Sequence, residues 1–420
     1  MRETWSFIRE NLRFLMVGIL LTFFSSLGQS FFFGIYNADI REAFDITNAQ
    51  FGSIYGTLTM LSALTLIWVG PMIDRVSLHL YIAAILVILT IACLLMGLAP
   101  TLWLFIIALF LTRFSGQGLC GHAASTAMAR YFDKTRGRAV TIGRLGFDLG
   151  VIVFPLIAVF VTGLIGWRMS WVSYAAIVAL IALPSIMWLL NDHNDRHTRW
   201  EEEQNAKAAA ENDGNPLLEK LSRWSHLFVL KDWRFYAVIP AVLAEPMIVT
   251  GIFFFLSNVA EAKDWPLETL AKAFSIHAVV SVVVSLLVGQ LIDKIGSIRL
   301  LPFMLVPQII SLLILGFVNH AYAAPIYMFV GDITKGFVVA ISITIWAELY
   351  GVRQIGAIKS LVTMLMVLST AIMPILMGML LDMDILFSDI CLGLMSYSII
   401  AMLISLSVAF KGKPAANEPV

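Results

Sequence analysis

Charge is scarce in this sequence, and so is cysteine. Asp, Glu, Lys and Arg make up 13% of the residues, against ~25% in an ordinary soluble domain. The 28 basic and 28 acidic residues cancel, so the basic excess that nucleic acid would require is absent and no nucleic-acid partner is expected. The three cysteines, Cys93, Cys120 and Cys391, lie inside apolar runs, which argues against a disulfide framework or a thiolate metal site. A glycine-rich loop followed by Lys-Ser/Thr is missing, as is His-Glu-x-x-His. Neither direct nucleotide hydrolysis nor zinc-dependent peptide cleavage is therefore expected, and the chain does not read as an enzyme. His193 and His197 stand four apart without a third ligand; no metal or other cofactor is expected.

What the chain has is apolar length. Hydrophobic residues reach 59% and the mean hydropathy is +0.86, too apolar for polar groups to cover a water-facing surface. A spanning helix needs ~20 apolar residues. Such runs fall at roughly 14–36, 50–70, 78–97, 102–128, 139–163, 169–190, 235–258, 268–291, 300–317, 322–348, 357–380 and 388–410. They are about twice as long as the ~10-residue strands of a membrane barrel. The first run follows Arg2, Arg9 and Arg13 and exceeds the ~7–15 apolar residues of a signal peptide, so it is expected to be retained.

Lys and Arg set the expected orientation. One side carries Arg2, Arg9, Arg13, Arg75, Arg130, Lys134, Arg136, Arg138, Lys294, Arg299, Arg353, Lys359, Lys411 and Lys413, while the other holds Arg41, Arg168, Lys263 and Lys272. Both termini are expected in the cytoplasm. Loops on the opposite side are acidic, and Asp382 and Asp384 in the last of them read as solvated. In the polar stretch 191–234, the residues Leu217, Leu218, Leu221, Trp224 and Phe228 recur at helical spacing. An interfacial amphipathic helix and a packed linker helix both fit that pattern.

The halves repeat. At a constant offset of 219 residues, Gly70 meets Gly289, Asp74 meets Asp293, Arg75 meets Lys294, Gly97 meets Gly316, Tyr131 meets Tyr350 and Pro155 meets Pro374. The expected fold class is an all-α membrane protein: twelve transmembrane helices in two pseudo-symmetric six-helix bundles, 1–190 and 235–420, joined by a linker over 191–234. The stretch Gly70-Pro-Met-Ile-Asp74-Arg75 resembles the signature between the second and third helices of the major facilitator superfamily, and Gly289-Gln-Leu-Ile-Asp293-Lys294 is similar to its second copy. Leu111-Thr-Arg113-Phe-Ser-Gly116-Gln117-Gly118 resembles the fourth-helix motif of that superfamily, and Arg136-Gly137-Arg138 its following loop. Ser77 departs from the first signature, where glycine is usual, although Gly296 keeps it in the second. The fifth run also lacks the Gly-Pro motif of proton-driven drug exporters.

The resemblance implies a bacterial-type secondary transporter of the inner (plasma) membrane, a monomer working by alternating access, with a lipid bilayer, a small-molecule substrate and protons as its partners. It also implies a gating role for Gly70, Asp74, Arg75, Gly289, Asp293 and Lys294, the aspartate facing the positive end of a neighbouring helix. In the superfamily the first, fourth, seventh and tenth helices line a central cavity, so Arg113 and Asp332, equivalent under the repeat, are expected to face it.

Ionised side chains at mid-bilayer cost about 2.5–3.5 kcal/mol and need a reason. Arg113, Arg144, Asp148, Glu245, Asp332 and Lys335 stand inside the runs, three of each sign. Substrate binding is expected from Arg113, Gln117 one turn beyond it, Gln29, Lys335 and His277. Proton coupling is expected from Glu245, Asp332 and Asp148, since a carboxylate that takes a proton leaves the set with a net positive charge that suits an anion. Arg144 lies nearest the loop, where it can snorkel or pair with Asp148 at i,i+4, and it carries the least functional weight. Ser281, Ser285 and Gly289 form a small-residue packing stripe. Phe31, Phe32, Phe33 and Tyr36 read more readily as lipid-facing than as cavity-lining. The substrate most consistent with these charges is a small carboxylate-bearing metabolite taken up with protons; the alternative is proton-coupled efflux of a drug-like or siderophore-like compound.

Overall fold

A computed structural model describes residues 2–132, 135–191, 196–198, 200, 202, 229–351 and 355–411. The chain is an all-α membrane protein, and no strand occurs among the described residues. His193 and the proposed amphipathic segment at 217–228 lie outside them.

Among the described residues eleven helices are long and apolar enough to cross a membrane. One of them, Arg136–Leu189, runs for 54 residues, about 80 Å at 1.5 Å per residue and far beyond the ~30 Å hydrocarbon layer. It is not one rod. Gly166 sits at φ 76° and ψ 162°, a conformation open to glycine and strained for other residues. Thr162 and Ser170, about 12 Å apart along a straight helix, bring their hydroxyls to 3.3 Å. The chain therefore doubles back at Gly166, and the stretch is two helices. With both counted the transmembrane helices are twelve: α1 Arg2–Phe24, α2 Asn48–Val69, α3 Leu78–Leu98, α4 Leu102–Tyr131, α5 over 136–165, α6 over 167–189, α7 Trp233–Phe254, α8 Leu267–Ile295, α9 Ser297–Phe317, α10 Ala323–Tyr350, α11 Ile355–Asp382 and α12 Phe387–Lys411.

Packing divides the chain into two compact units, Met1–Phe44 with Thr57–Gly214 and Asp45–Gly56 with Asn215–Val420. In the first, α5 lies on α1 through small residues. A Cβ at Gly146 would fall 1.8 Å from the Ile19 carbonyl oxygen, and one at Gly150 would fall 2.1 Å from the Ser26 hydroxyl. In lipid, where neighbouring helices gain no hydrophobic advantage over tails, such close backbone approach drives association. Thr22 adds a hydrogen bond across the same seam, donating to the Gly143 carbonyl at 2.6 Å.

The second unit takes in the first turns of α2. A Cβ at Gly52, Gly56 or Gly378 would come within 2.2–2.4 Å of a backbone oxygen of Pro374, Ala371 or Asn48 respectively. The carboxylate of Asp382 closes that contact. It accepts from the backbone N–H groups of Asn48 at 3.0 Å and Ala49 at 2.8 Å, and from the Asn48 side-chain amide at 3.0 Å. Asp382, expected to be solvated, is thus the cap of a helix N-terminus far away in sequence, where free N–H groups and the positive dipole end favour an anion. Asp382→Ala is expected to lower stability by about 0.5–2 kcal/mol, the usual cost of a lost N-cap. The readout is the thermal midpoint of the purified protein, and an unchanged midpoint would remove the cap from the account.

The scattered cations of the less basic side also have structural work. Arg168 donates to the Ala99 carbonyl at 2.7 Å, at the C-terminal end of α3. Lys263 donates to the Gly316 carbonyl at 2.7 Å and to Asn319 Oδ1 at 3.0 Å, at the end of α9. Gly97 and Gly316 are repeat equivalents, yet the cation that reaches each comes from a different element. The negative end of a helix dipole asks for positive charge, and either source supplies it. Burial lowers the Lys263 pKa below the ordinary lysine value.

Candidate functional site

Two broken helices build the candidate site of the first unit. After α1 the chain enters a 3-10 turn at Ser25–Gly28, and Gln29 is extended before a short helix, Ser30–Ile35, resumes. In α4 the stretch Arg113–Cys120 is wound as π-helix. Such windings release backbone groups from the regular ladder and recur at functional positions. The two breaks touch. A Cβ at Gly28 would lie 2.5 Å from the Gln117 nitrogen and 2.7 Å from the Thr112 oxygen, so only glycine admits this crossing.

Arg113 sits behind that crossing, 2% exposed. Its Nη1 donates to the Gly28 carbonyl at 2.7 Å and its Nη2 to the Thr59 hydroxyl of α2 at 2.9 Å. The guanidinium thus satisfies a carbonyl at the 3-10 break and ties α4 to α1 and α2. Arg113 does not line the pocket beside it, whereas Gln117 does. Four residues apart, the two side chains still part: the Arg113 guanidinium is drawn to the Gly28 carbonyl and the Thr59 hydroxyl, while Gln117 lines the pocket.

That pocket has a volume of about 240 Å³ and is lined by Ser25, Gln29, Gln117, Ser125, Arg144 and Phe147, with apolar wall between them. Gln29 and Gln117 both line it. Arg144 was given least weight in the sequence and stands on the pocket wall instead of being withdrawn to the loop. The i,i+4 pair with Asp148 is not made: among the described residues the Arg144 guanidinium has no ion pair, and its carbon lies 6.0 Å from the Phe147 ring centroid. Asp148 is half-buried on the same helix.

The aromatic run also departs from expectation. Phe31, Phe32, Phe33 and Tyr36 are all buried; Phe32 packs on Phe154, Trp171 and Tyr174, Phe33 and Tyr36 on Trp171, and the Tyr36 and Tyr174 hydroxyls are 2.9 Å apart. The break before Gln29 turns this segment inward, and an aromatic run carries no local signal of that turn.

In the second unit Glu245 precedes Pro246 in α7 and is 7% exposed, and Asp332 in α10 is 2% exposed. Both carboxylates lie within electrostatic reach of the buried Tyr327 hydroxyl. Lys335 is half-buried one turn beyond Asp332. The side chain of His277 lies outside the described residues. Of the small-residue stripe of α8, Ser285 packs on α10: a Cβ at Gly336 would lie 3.0 Å from its nitrogen and 2.7 Å from the neighbouring Val284.

At the first signature, Gly70–Asp74 forms a 3-10 turn. Asp74 pairs with Arg130 of α4, which also donates to the Ile73 carbonyl at 3.2 Å. His122 Nε2 is 3.1 Å from the Gly70 carbonyl, and Arg75 is exposed. Asp74 therefore faces a guanidinium within its own unit. The helix-end role assigned to the signature aspartate falls instead to Glu348, which accepts from the backbone of Ser297 at 2.7 Å and Ile298 at 3.3 Å, and from the Ser297 hydroxyl. Asp293 and Lys294 are exposed, and Gly289 has open space where a Cβ would stand. The Ser77 departure has a local reason. Ser77, at φ −59°, caps α3 by accepting from the Leu80 N–H, whereas Gly296 stands at φ 90° and needs to be glycine. Arg130 and Glu348 were missed by sequence reasoning. Their signal was available only as charge one position out of step in the repeat, where Arg130 maps onto Leu349 beside Glu348.

A profile of the Major Facilitator Superfamily matches residues 18–374. No curated protein sequence matches. Among solved structures, a bacterial homologue of the human lysosomal transporter Spinster, in an inward-facing and occupied conformation, is 15% identical with TM-score 0.66, covering 94% of this chain and 94% of that one. The nucleoside transporter NupG is 14% identical with TM-score 0.72, covering 96% and 99%. A POT family transporter in complex with a thioalcohol-conjugated peptide is 13% identical with TM-score 0.67, covering 95% and 96%. At these identities the likeness is one of fold.

Proposed function

The chain belongs to the Major Facilitator Superfamily, and on that premise we propose that it is a secondary transporter that moves a small carboxylate-bearing solute by alternating access, coupled to protons. It is an integral membrane transporter and not an enzyme. The reading places both termini in the cytoplasm of a bacterium and the chain in its inner membrane, following the distribution of Lys and Arg.

The observation that carries the proposal is the pocket of the first unit. It combines apolar wall with a few converging polar groups, Gln29, Gln117 and Arg144, which is the composition of a small-molecule site. Proton coupling is supported by the burial of Glu245 and Asp332 in the second unit. Asp148, Glu245 and Asp332 offset Arg113, Arg144 and Lys335, so within this set of six one proton taken up leaves room for one anion. A solute anion and a proton then cross together without net charge.

Proteoliposomes test this. Saturable counterflow is expected, with uptake rising several-fold when the side of solute entry is made acid. Glu245→Gln is expected to keep counterflow while losing the response to the gradient. Net flux of the carried solute that ignores an imposed pH gradient would remove the coupling, and flux rising linearly with concentration would replace a carrier by a channel.

A further inference from the structure

We propose that Arg144 is the anion anchor of the pocket, and that the pocket takes a short monocarboxylate bearing a hydroxyl or oxo group and no amine. This deepens the transporter reading and rests on it. The argument begins with which polar groups the fold has left uncommitted. Thr22 donates to the Gly18 and Gly143 carbonyls, Ser25 to the Thr22 carbonyl, and Ser125 to the Gly121 and His122 carbonyls. Their hydrogens are engaged, so toward a solute these hydroxyl oxygens act as acceptors. Arg113 is engaged too, with the Gly28 carbonyl and the Thr59 hydroxyl.

Three pocket groups remain. Among the described residues, the guanidinium of Arg144 and the side-chain amides of Gln29 and Gln117 have no hydrogen-bond partner. The guanidinium presents a planar fork that matches a carboxylate and brings charge that amides lack. Each glutamine offers one donor group and one acceptor, which suits a hydroxyl or an oxo oxygen on the solute. No Asp or Glu is among the residues lining this pocket, so its wall offers no counter-charge to an ammonium. Phe147 and Met128 supply apolar surface for a short carbon chain. The volume, about 240 Å³, admits a small organic acid.

Headgroup duty is the competing role for Arg144. Arg136 and Arg138 at the start of α5 stand nearer the headgroups on that reading, and Arg144 lies eight residues beyond Arg136, about 12 Å further along the axis.

The test uses the purified full-length protein, with thermal midpoints read from tryptophan fluorescence. The probes are lactate, pyruvate, 3-hydroxybutyrate and 4-hydroxybenzoate at millimolar concentration, each beside its primary amide, together with alanine and serine. At least one acid is expected to raise the midpoint while its amide and the amino acids do not. Arg144→Ala is expected to weaken that acid by at least about tenfold, the loss of one charge-assisted contact. Arg144→Lys keeps the charge without the fork and should fall between. Among the described residues Arg144 has no hydrogen-bond or ion-pair partner, so both variants should match the wild-type midpoint in the absence of solute. The anchor is overturned if no acid shifts the wild type, if acid and amide shift it equally, or if Arg144→Ala responds like wild type. Neutral solutes that shift the midpoint and exchange in counterflow, when acids do neither, would discard the anchor and keep the transporter. Acid shifts lost in Arg144→Ala without any counterflow would keep the anchor and discard transport.

Discussion

Gly146→Val is expected to abolish the folded protein. At this position a Cβ would lie 1.8 Å from the carbonyl oxygen of Ile19, 2.4 Å from the Thr22 hydroxyl and 2.6 Å from the Ile19 carbonyl carbon. Two of those three atoms belong to the backbone of α1, which has no rotamer to give. The helices would have to part, and parting breaks the Thr22 to Gly143 hydrogen bond and opens the neighbouring contact of Gly150 with Ser26. Overpacking a seam between two backbones belongs to the rare class of substitutions above about 4 kcal/mol. The check is gel filtration of the solubilised protein with its thermal midpoint. Gly163→Ala is the control, because a Cβ there meets nothing within 4 Å, and it should leave both readouts unchanged or raise the midpoint slightly. A monodisperse Gly146→Val protein with a wild-type midpoint would mean that α1 and α5 do not pack as described.

Arg113→Met is expected to cost about 2–4 kcal/mol and to remove transport with it. Methionine keeps length and apolar bulk but donates nothing, so the Gly28 carbonyl and the Thr59 hydroxyl lose their guanidinium partners. Hydrogen bonds from a charged donor contribute about 1.5–3 kcal/mol each, and a buried acceptor left alone pays its desolvation in full. Gly28 and Gln117 pack at the same crossing, so its loosening displaces Gln29 and Gln117 together. Thr59→Val removes one acceptor and should cost less, with counterflow retained. Arg113→Lys keeps one donor contact and should fall between them. Thermal midpoint and counterflow on the same preparations separate the cases. If Arg113→Met holds its midpoint while counterflow disappears, Arg113 contacts the solute directly and is not a brace.

Much of the candidate site was visible in the sequence as polar residues where lipid-spanning segments should be apolar. Gln29, Gln117, Glu245 and Asp332 stood out for that reason, and the two glutamines do share a pocket. Orientation was not visible. Arg113 and Gln117 are four residues apart, a spacing that puts them on one face of a helix, yet the guanidinium is claimed by Gly28 and Thr59 while Gln117 lines the pocket. Asp382 had its partners more than three hundred residues away, and an acidic loop looks the same whether or not a helix end rests on it. For Arg144 the sequence gives depth along the helix, and depth does not say which wall a side chain stands on.

From the sequence alone came the number of membrane helices, the duplication and the family, because each follows from hydrophobic run length and spacing, which are local properties of the chain. Tertiary structure decided which polar groups the fold occupies and which it leaves over for a solute. Hydrogen-bond partners are brought together by helix breaks at Ser25–Gly28 and Arg113–Cys120 and by glycine crossings between distant segments, and no periodicity within a single helix carries that information.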